Sequence, residues 1–250
     1  MNLHLVQMPV DMRWLHRWAG ERLGPQRLFD EGDALHRLLG ELFGPAVLQP
    51  FRLMVAPGEL SATLYAYCGQ DRAALADTAN VVGTPAALKA INLDGLQSVE
   101  RPAHVWRAGQ RLGFDLRMRP VVRLSSCLSG ENSHGKAVAI KKGSEVDAFL
   151  ARVLRGESAT REEVYLDWLE KRLSPAASLE RQATRLAGFS RHRGRRHDVA
   201  VEGPDVVVHG TLTVQDPAAF AALLARGVGR HRSYGYGMLL LRPPQRQVPC

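Results

Sequence analysis

Residues 217–243 read PAAFAALLARGVGRHRSYGYGMLLLRP. Asp216 followed by Pro217 predicts a helix start, with the carboxylate as N-cap and the proline in the first turn, and Gly227 predicts its stop. Four glycines then fall within the eleven positions 227–237, interleaved with Arg230, His231, Arg232 and Ser233. Glycine at that density permits sharp turns and close backbone approach, and the surrounding cations suit an anion. The apolar run 238–241 predicts a last strand. The segment before the helix, HDVAVEGPDVVVHGTLTV at 197–214, predicts a hairpin turning about 203–205.

Further upstream, QRLGFDLRMRPVVRL at 110–124 predicts a strand and 125–135 an exposed loop. Two helical stretches follow at 144–154 and 160–173, the second opened by a Thr160–Glu163 capping box. The second half therefore runs β-α-β-β-α-β. The first half repeats that order, beginning with a strand at 3–8 closed by Pro9. A helix at 33–43 places Leu35, Leu38, Leu39 and Leu42 on one face and stops at Gly44-Pro45. Strand, turn at Pro57-Gly58 and strand occupy 51–68; a short helix begins at Asp71, and a weaker strand lies at 96–102. The linker at 10–31 carries no readable pattern. This is the ferredoxin-like order, so the expected class is α+β with two tandem ferredoxin-like (RRM-like) domains, residues 1–108 and 109–243, and a tail at 244–250. The repetition lies in element order, without residue identity.

Hydrophobic content of 45% across 250 residues is enough for a real core. The formal charge of +8, carried mostly by arginine, favours nucleic acid, an acidic partner or an anionic membrane surface. Cys68, Cys127 and Cys250 lie far apart without metal-ligand spacing, which argues against a disulfide framework. The N-terminal stretch lacks the charged and apolar regions of a secretory signal, and no window is long enough to span a bilayer. The expected compartment is the cytoplasm, with no membrane partner. A DNA-binding regulator finds little support, since neither a helix-turn-helix nor a zinc pattern is present.

Three stretches carry a resemblance. LLARGVGRHRSYGYGMLLLRP at 223–243 resembles the C-terminal glycine-rich signature of the CasE-type CRISPR precursor-RNA endoribonucleases of the RAMP superfamily. DALHRLLGELF at 33–43 resembles that family's histidine-bearing first helix, and FDLRMRPVVR at 114–123 resembles its second-domain opening strand, F-x-L-R-x-x-P-x-x-R. The likeness runs from 33 to 243. It departs where the family often has tyrosine and this chain has Asp33, in the long linker 10–31, and in extra helical sequence before VYLDWLEKRL. The resemblance implies metal-independent RNA cleavage with no cofactor: a ribose 2′-hydroxyl attacks the adjacent phosphate, leaving a 2′,3′-cyclic phosphate and a 5′-hydroxyl. It implies as partners a CRISPR repeat stem-loop, the crRNA product and the other subunits of the Cascade complex.

Such chemistry needs a base for the 2′-hydroxyl, a donor for the leaving oxygen and positive charge around the phosphorane. His36 is the candidate base. Its helical phase puts it at the edge of the apolar stripe, in the expected first turn, where the helix dipole favours a neutral imidazole and a bound phosphate. A boundary histidine that merely packs fits the same spacing. The run RQATRLAGFSRHRGRRH at 181–197 places Arg191, Arg193, Arg195 and Arg196 near the expected hairpin tip. It is either a solvated loop or a basic finger; the resemblance implies the finger, with Arg191 or Arg193 stabilising the phosphorane and Arg195 and Arg196 holding RNA. Further RNA contacts are expected from Arg37, Arg117, Arg119, Lys141 and Lys142. In the glycine loop, exposed amides with Arg230, Arg232 and Ser233 would hold phosphate, and Gly235 and Gly237 would alternatively relieve crowding between sheets. A non-catalytic RNA-binding scaffold, the competing class, has no need of His36.

Overall fold

The computed structural model describes residues 2–24, 29–131, 135, 137–196 and 199–244. Its first strand, β1 (His4–Asp11), runs through Pro9 and so outlasts the expected end. Pairing with the later strand at 97–100 ends at Gln7, and the Pro9 carbonyl on that open side accepts from Asn92 N–H at 3.1 Å. The missing proline N–H therefore interrupts no ladder. The linker that showed no pattern forms α1 (Met12–Leu23), because the Asp11 carboxylate caps Arg13 and Trp14 N–H and the helix buries Leu15, Trp18 and Ala19. Residues 25–28 of that linker lie outside the described residues, as do 245–250 of the tail. The next helix, α2 (Glu31–Phe43), starts two residues earlier than the apolar pattern indicates, capped by Asp30, and stops at Gly44. Then come β2 (Phe51–Val55), β3 (Ser61–Cys68), α3 (Arg72–Val82), the unanticipated α4 (Pro85–Ala90) and β4 (Gln97–Glu100). The antiparallel sheet they form has the order β2-β3-β1-β4.

The second half opens with β5 (Arg111–Met118) and a separate β6 (Val121–Arg123), split by Arg119-Pro120, where a single strand was expected. The expected loop contains β7 (Leu128–Glu131), paired with β8 (Ala137–Ile140); positions 132–134 lie outside the described residues. The expected helix at 144–154 begins instead as β9 (Glu145–Asp147), which pairs with β6, before α5 (Ala148–Val153). This insertion has its own small core of Leu124, Leu128, Val146, Ala151 and Leu154. Next is α6 (Arg161–Leu173), with both bonds of the Thr160–Glu163 capping box present. The remaining elements are β10 (Ala177–Leu179), β11 (Arg185–Arg196), β12 (Val199–Val214), α7 (Pro217–Arg226) and β13 (Leu239–Arg242).

No hairpin turns at 203–205. β12 runs straight through Gly203 and Pro204, opposite His192 and Arg191 of β11, and the two strands pair out to Arg196 and Val199. Pro204 stands beyond Val206, the last β12 residue that pairs with β5, an edge position that tolerates proline. The main path of the second sheet is β10-β12-β5-β13, with β11 also pairing β12. Residues 189–196 and 199–205 thus form a two-stranded ribbon beyond the sheet.

One face of β1 buries Val6, Met8 and Val10 against Leu35, Leu38 and Leu42 of α2. The other face turns toward the second half: Leu3 and Tyr67 belong to the core built on Phe114, Leu116, Leu169 and Phe220. A buried ionic bridge crosses the same seam, Arg52 to Asp115 at 3.4 Å and Asp115 to His209 at 2.7 Å. The alternation of β1 and β3 is thus a record of two different partners.

Candidate active site

His36 is half-buried on α2. Because the helix begins at Glu31, the histidine stands in the second turn, and the dipole contribution expected for a first-turn position is correspondingly smaller. Its ring lies against Tyr234, centroids 5.0 Å apart and planes at 46°. Tyr234 ends a 3-10 turn, Arg232–Tyr234, inside the glycine loop. An aromatic side chain of the last loop is thereby brought onto the first half's histidine.

The glycine loop is a packed joint. Gly237 N–H donates to the Arg117 carbonyl and Val228 N–H to the Gly237 carbonyl, both at 2.7 Å, while Tyr234 N–H donates to the His231 carbonyl at 2.9 Å. Those amides are not available to a phosphate, which corrects the expected cradle at these positions. Gly229 has φ +79°, and a Cβ there would overlap the Trp168 ring; Gly235 lies against Phe51 of β2. Relief of crowding where the halves meet explains Gly235; Gly229 relieves crowding inside the second half, against α6. The side chains are also engaged. Arg230 pairs with Glu145 at 2.5 Å and His231 with the other oxygen of the same carboxylate at 2.8 Å. Arg232 donates to the Arg226 carbonyl, and the Ser233 hydroxyl donates to the Gln49 side chain at 3.0 Å.

The expected arginines divide by environment. Arg117 makes a bidentate pair with Asp205 (2.9 and 2.6 Å), approaches Glu31 at 3.6 Å and lies over the Tyr236 ring at 4.8 Å. Burial works against its charge, but the Asp205 hydrogen bonds and the negative neighbours outweigh it, so the guanidinium is held even more firmly protonated than usual. Burial likewise pushes the Asp205 carboxyl up, and Arg117 pulls it further down, leaving it below the ordinary carboxylate range. The Tyr236 hydroxyl is raised by burial to about 12, against the pull of Arg117. Arg119 is only 2% exposed, so its expected RNA contact is corrected: a phosphate could reach it only if the ribbon moved. Arg37 pairs with Asp33 at 3.1 Å, across one turn of α2.

On the ribbon, Arg191 and Arg193 share one carboxylate, Glu202, at 2.9 and 3.4 Å, with side chains 48% and 79% exposed. The ribbon's base is fixed by Phe189, which lies 4.1 Å under the Arg161 guanidinium. The side chains of Arg195 and Arg196 lie outside the described residues. Lys141 and Lys142 are exposed at the turn between β8 and β9.

Between the start of α2, the 3-10 turn and β11 lies a cleft of about 320 Å³, lined among others by His16, Asp30, Glu31, Arg117, His192 and Tyr234. Sequence reading passes over His192, hidden among arginines, and over Tyr234. The one local signal for Asp30 is an acid directly before a helix. A larger concavity of about 920 Å³, between α1, the β2–β3 turn and α4, contains none of the candidates. The smaller cleft is the candidate site, because His16, Asp30, Glu31, Arg117, His192 and two tyrosines converge there. Among the described residues no group of three His, Cys, Asp or Glu side chains is placed to hold a metal ion, and no helix is long and apolar enough to cross a membrane.

Residues 3–243 match the family model for CRISPR associated protein. The CRISPR-associated endoribonuclease Cse3 of Thermus thermophilus is 33% identical over 144 residues, 57% of this chain and 61% of that protein. The chain thus matches less than two thirds of that relative's length. Among solved structures, CRISPR endoribonuclease Cse3 bound to a 19-nucleotide RNA superposes with a TM-score of 0.64 at 21% identity, over 97% of this chain and 100% of the other. A chain of a CRISPR RNA-guided surveillance complex gives 0.51 at 16% identity, over 95% and 98%. These two structural likenesses show the fold.

Proposed function

The chain belongs to the CRISPR-associated protein family, and from that membership we propose that it is an endoribonuclease cutting CRISPR precursor transcripts within repeat stem-loops. The observation that carries the proposal is the contact of His36 with Tyr234, which puts an imidazole of the first half on the glycine loop of the second, beside a cleft bordered by a basic ribbon. The two sheets share one permuted strand order, β2-β3-β1-β4 and β10-β12-β5-β13, which supports two ferredoxin-like units divided near 108.

In the proposed reaction His36 takes the proton of the 2′-hydroxyl. Attack of that oxygen on phosphorus expels the 5′-oxygen and leaves a 2′,3′-cyclic phosphate. Arg191 or Arg193, held ready by Glu202, turns from that carboxylate to the phosphorane oxygens, exchanging one anion for another. Arg37, Lys141, Lys142 and, with the side chains beyond the described residues, Arg195 and Arg196 contact the RNA backbone. Arg230, Arg232 and Ser233 serve mainly to hold the loop. The reaction proceeds without a metal ion, and the protein keeps its crRNA product as a subunit of a Cascade complex. Support for that last step comes from the likeness to a chain of a surveillance complex.

The test is single-turnover cleavage of the repeat RNA from the neighbouring array, in EDTA. Wild type is expected to cut and to leave cyclic-phosphate and 5′-hydroxyl ends, and His36→Ala to lose on the order of 10²–10⁴ in rate with binding within a few-fold. Cleavage that stops in EDTA and returns with Mg²⁺, or a variant as fast as wild type, would refute the mechanism.

A further inference from the structure

We infer that His192, held by Asp30, is the proton donor to the leaving 5′-oxygen. The inference rests on the proposed cleavage and assigns the half of its proton traffic that His36 leaves open.

His192 Nε2 lies 3.1 Å from Asp30 Oδ2, and the pair is largely sheltered, with side chains 22% and 10% exposed. Asp30 is itself fixed: its other oxygen caps α2 by accepting Asp33 N–H at 3.2 Å. With Asp30 ionised the carboxylate only accepts, so in this proposal Nε2 carries the proton at the contact and Nδ1 is the nitrogen that exchanges one. Gly194 keeps the pair close to the strand, since a Cβ at that position would overlap both the Asp30 carboxylate and the His192 ring. The arrangement is a histidine oriented by a buried acid, standing in the cleft that Tyr234 also lines. Around it lie Glu31 of α2, Arg117 of β5, Asp205 of β12 and His16 of α1.

The reaction explains why a second imidazole belongs there. The O2′–P bond forms as the P–O5′ bond breaks, with entering and leaving oxygens roughly in line on opposite sides of phosphorus. One proton leaves O2′ and another must arrive at O5′. A single ring cannot reach both sides in one step. His36 comes to the seam on α2, from the first half; His192 comes on β11, from the second. A protonated His192 gives its Nδ1 proton to O5′, and His36 gains the proton from O2′, so charge and protons balance without any further reactant.

The experiment compares two RNAs: the natural repeat hairpin, and the same hairpin with sulfur replacing the bridging 5′-oxygen at the cut mapped with wild type. A thiolate leaves without being protonated. His192→Ala and His192→Gln, the second retaining an N–H for Asp30, are expected to cut the natural RNA about 10²–10⁴-fold more slowly. On the sulfur substrate both should return to within a few-fold of wild type, whereas His36→Ala should stay slow. RNA affinity should be unchanged in both and melting temperature in His192→Gln, while His192→Ala, which removes this contact from the sheltered Asp30, should melt lower. Natural RNA cut at the wild-type rate by His192→Gln, or a loss that persists on the sulfur substrate, overturns the donor role. If wild type cuts neither RNA, the endoribonuclease reading itself fails; if wild type cuts and only the His192 result differs, the donor assignment alone falls.

Discussion

The ribbon offers a prediction with a sign as well as a size. Arg191 and Arg193 stand 2.9 and 3.4 Å from the same Glu202 carboxylate, so RNA approaching the ribbon meets two cations sharing one anion. Each arginine that reaches a phosphate releases counterions, worth about 0.7–0.9 in the slope of log affinity against log salt. Replacing both with alanine should flatten that slope by about 1.4–1.8, which near 0.1 M salt corresponds to roughly 25–60-fold weaker binding. Shared neutralisation by Glu202 sets these as upper values. Glu202→Gln should act in the opposite direction. A unit charge at about 4 Å in water is worth about 1 kcal/mol, so removing the competing carboxylate should tighten binding about fivefold and steepen the slope.

Fluorescence anisotropy with a repeat hairpin carrying a 2′-deoxy nucleotide at the cut site measures binding without cleavage, and thermal melting serves as the control for folding. These exposed pairs contribute at most about 1 kcal/mol to stability, so neither variant should melt far from wild type. If both variants melt normally and keep wild-type affinity and slope, the ribbon is a solvated charge run and RNA is held elsewhere. Tighter binding by the glutamine variant is the result that a solvated ribbon cannot produce.

Two further predictions concern sheltered ion pairs. Asp115→Ala strands the Arg52 guanidinium, whose pKa burial already lowers, and should cost about 3–5 kcal/mol, whereas replacing the whole bridge, Arg52→Met with Asp115→Leu and His209→Leu, should come close to wild type in a denaturant melt. Asp205 has a depressed pKa, so the stability it lends is full above the ordinary carboxylate range and is lost as pH falls through its lower folded value. Asp205→Asn should therefore cost about 1.5–3 kcal/mol at neutral pH and flatten the acid limb of a stability–pH profile; an unchanged acid limb would show that the Arg117 pair does not set it.

What could be read from the sequence was whatever neighbouring residues determine among themselves. The α6 capping box and the Asp216-Pro217 start of α7 each rest on groups within four positions, and both stand in the structure as read. Misplaced elements depended on partners far along the chain. Gly203-Pro204 has turn composition, yet β11 holds it straight, and the run at 144–154 yields its first residues to a strand because β6 lies beside it. The site divides the same way. His36 could be proposed because its helix resembles the family's histidine-bearing first helix; its phase alone suits a boundary histidine that merely packs. His192 and Asp30 are 162 positions apart, and neither has a local pattern that names the other. The glycine loop shows why composition alone misleads there. A cluster of glycines and arginines looks like an anion cradle, but its spacing equally satisfies a joint that must pass Trp168, Phe51 and the Arg117 carbonyl at close range. The joint then acquires a consequence for the site: by fixing Tyr234 against His36, it ties the histidine-bearing helix of one half to the last loop of the other, and that same tyrosine lines the cleft in which His192 stands.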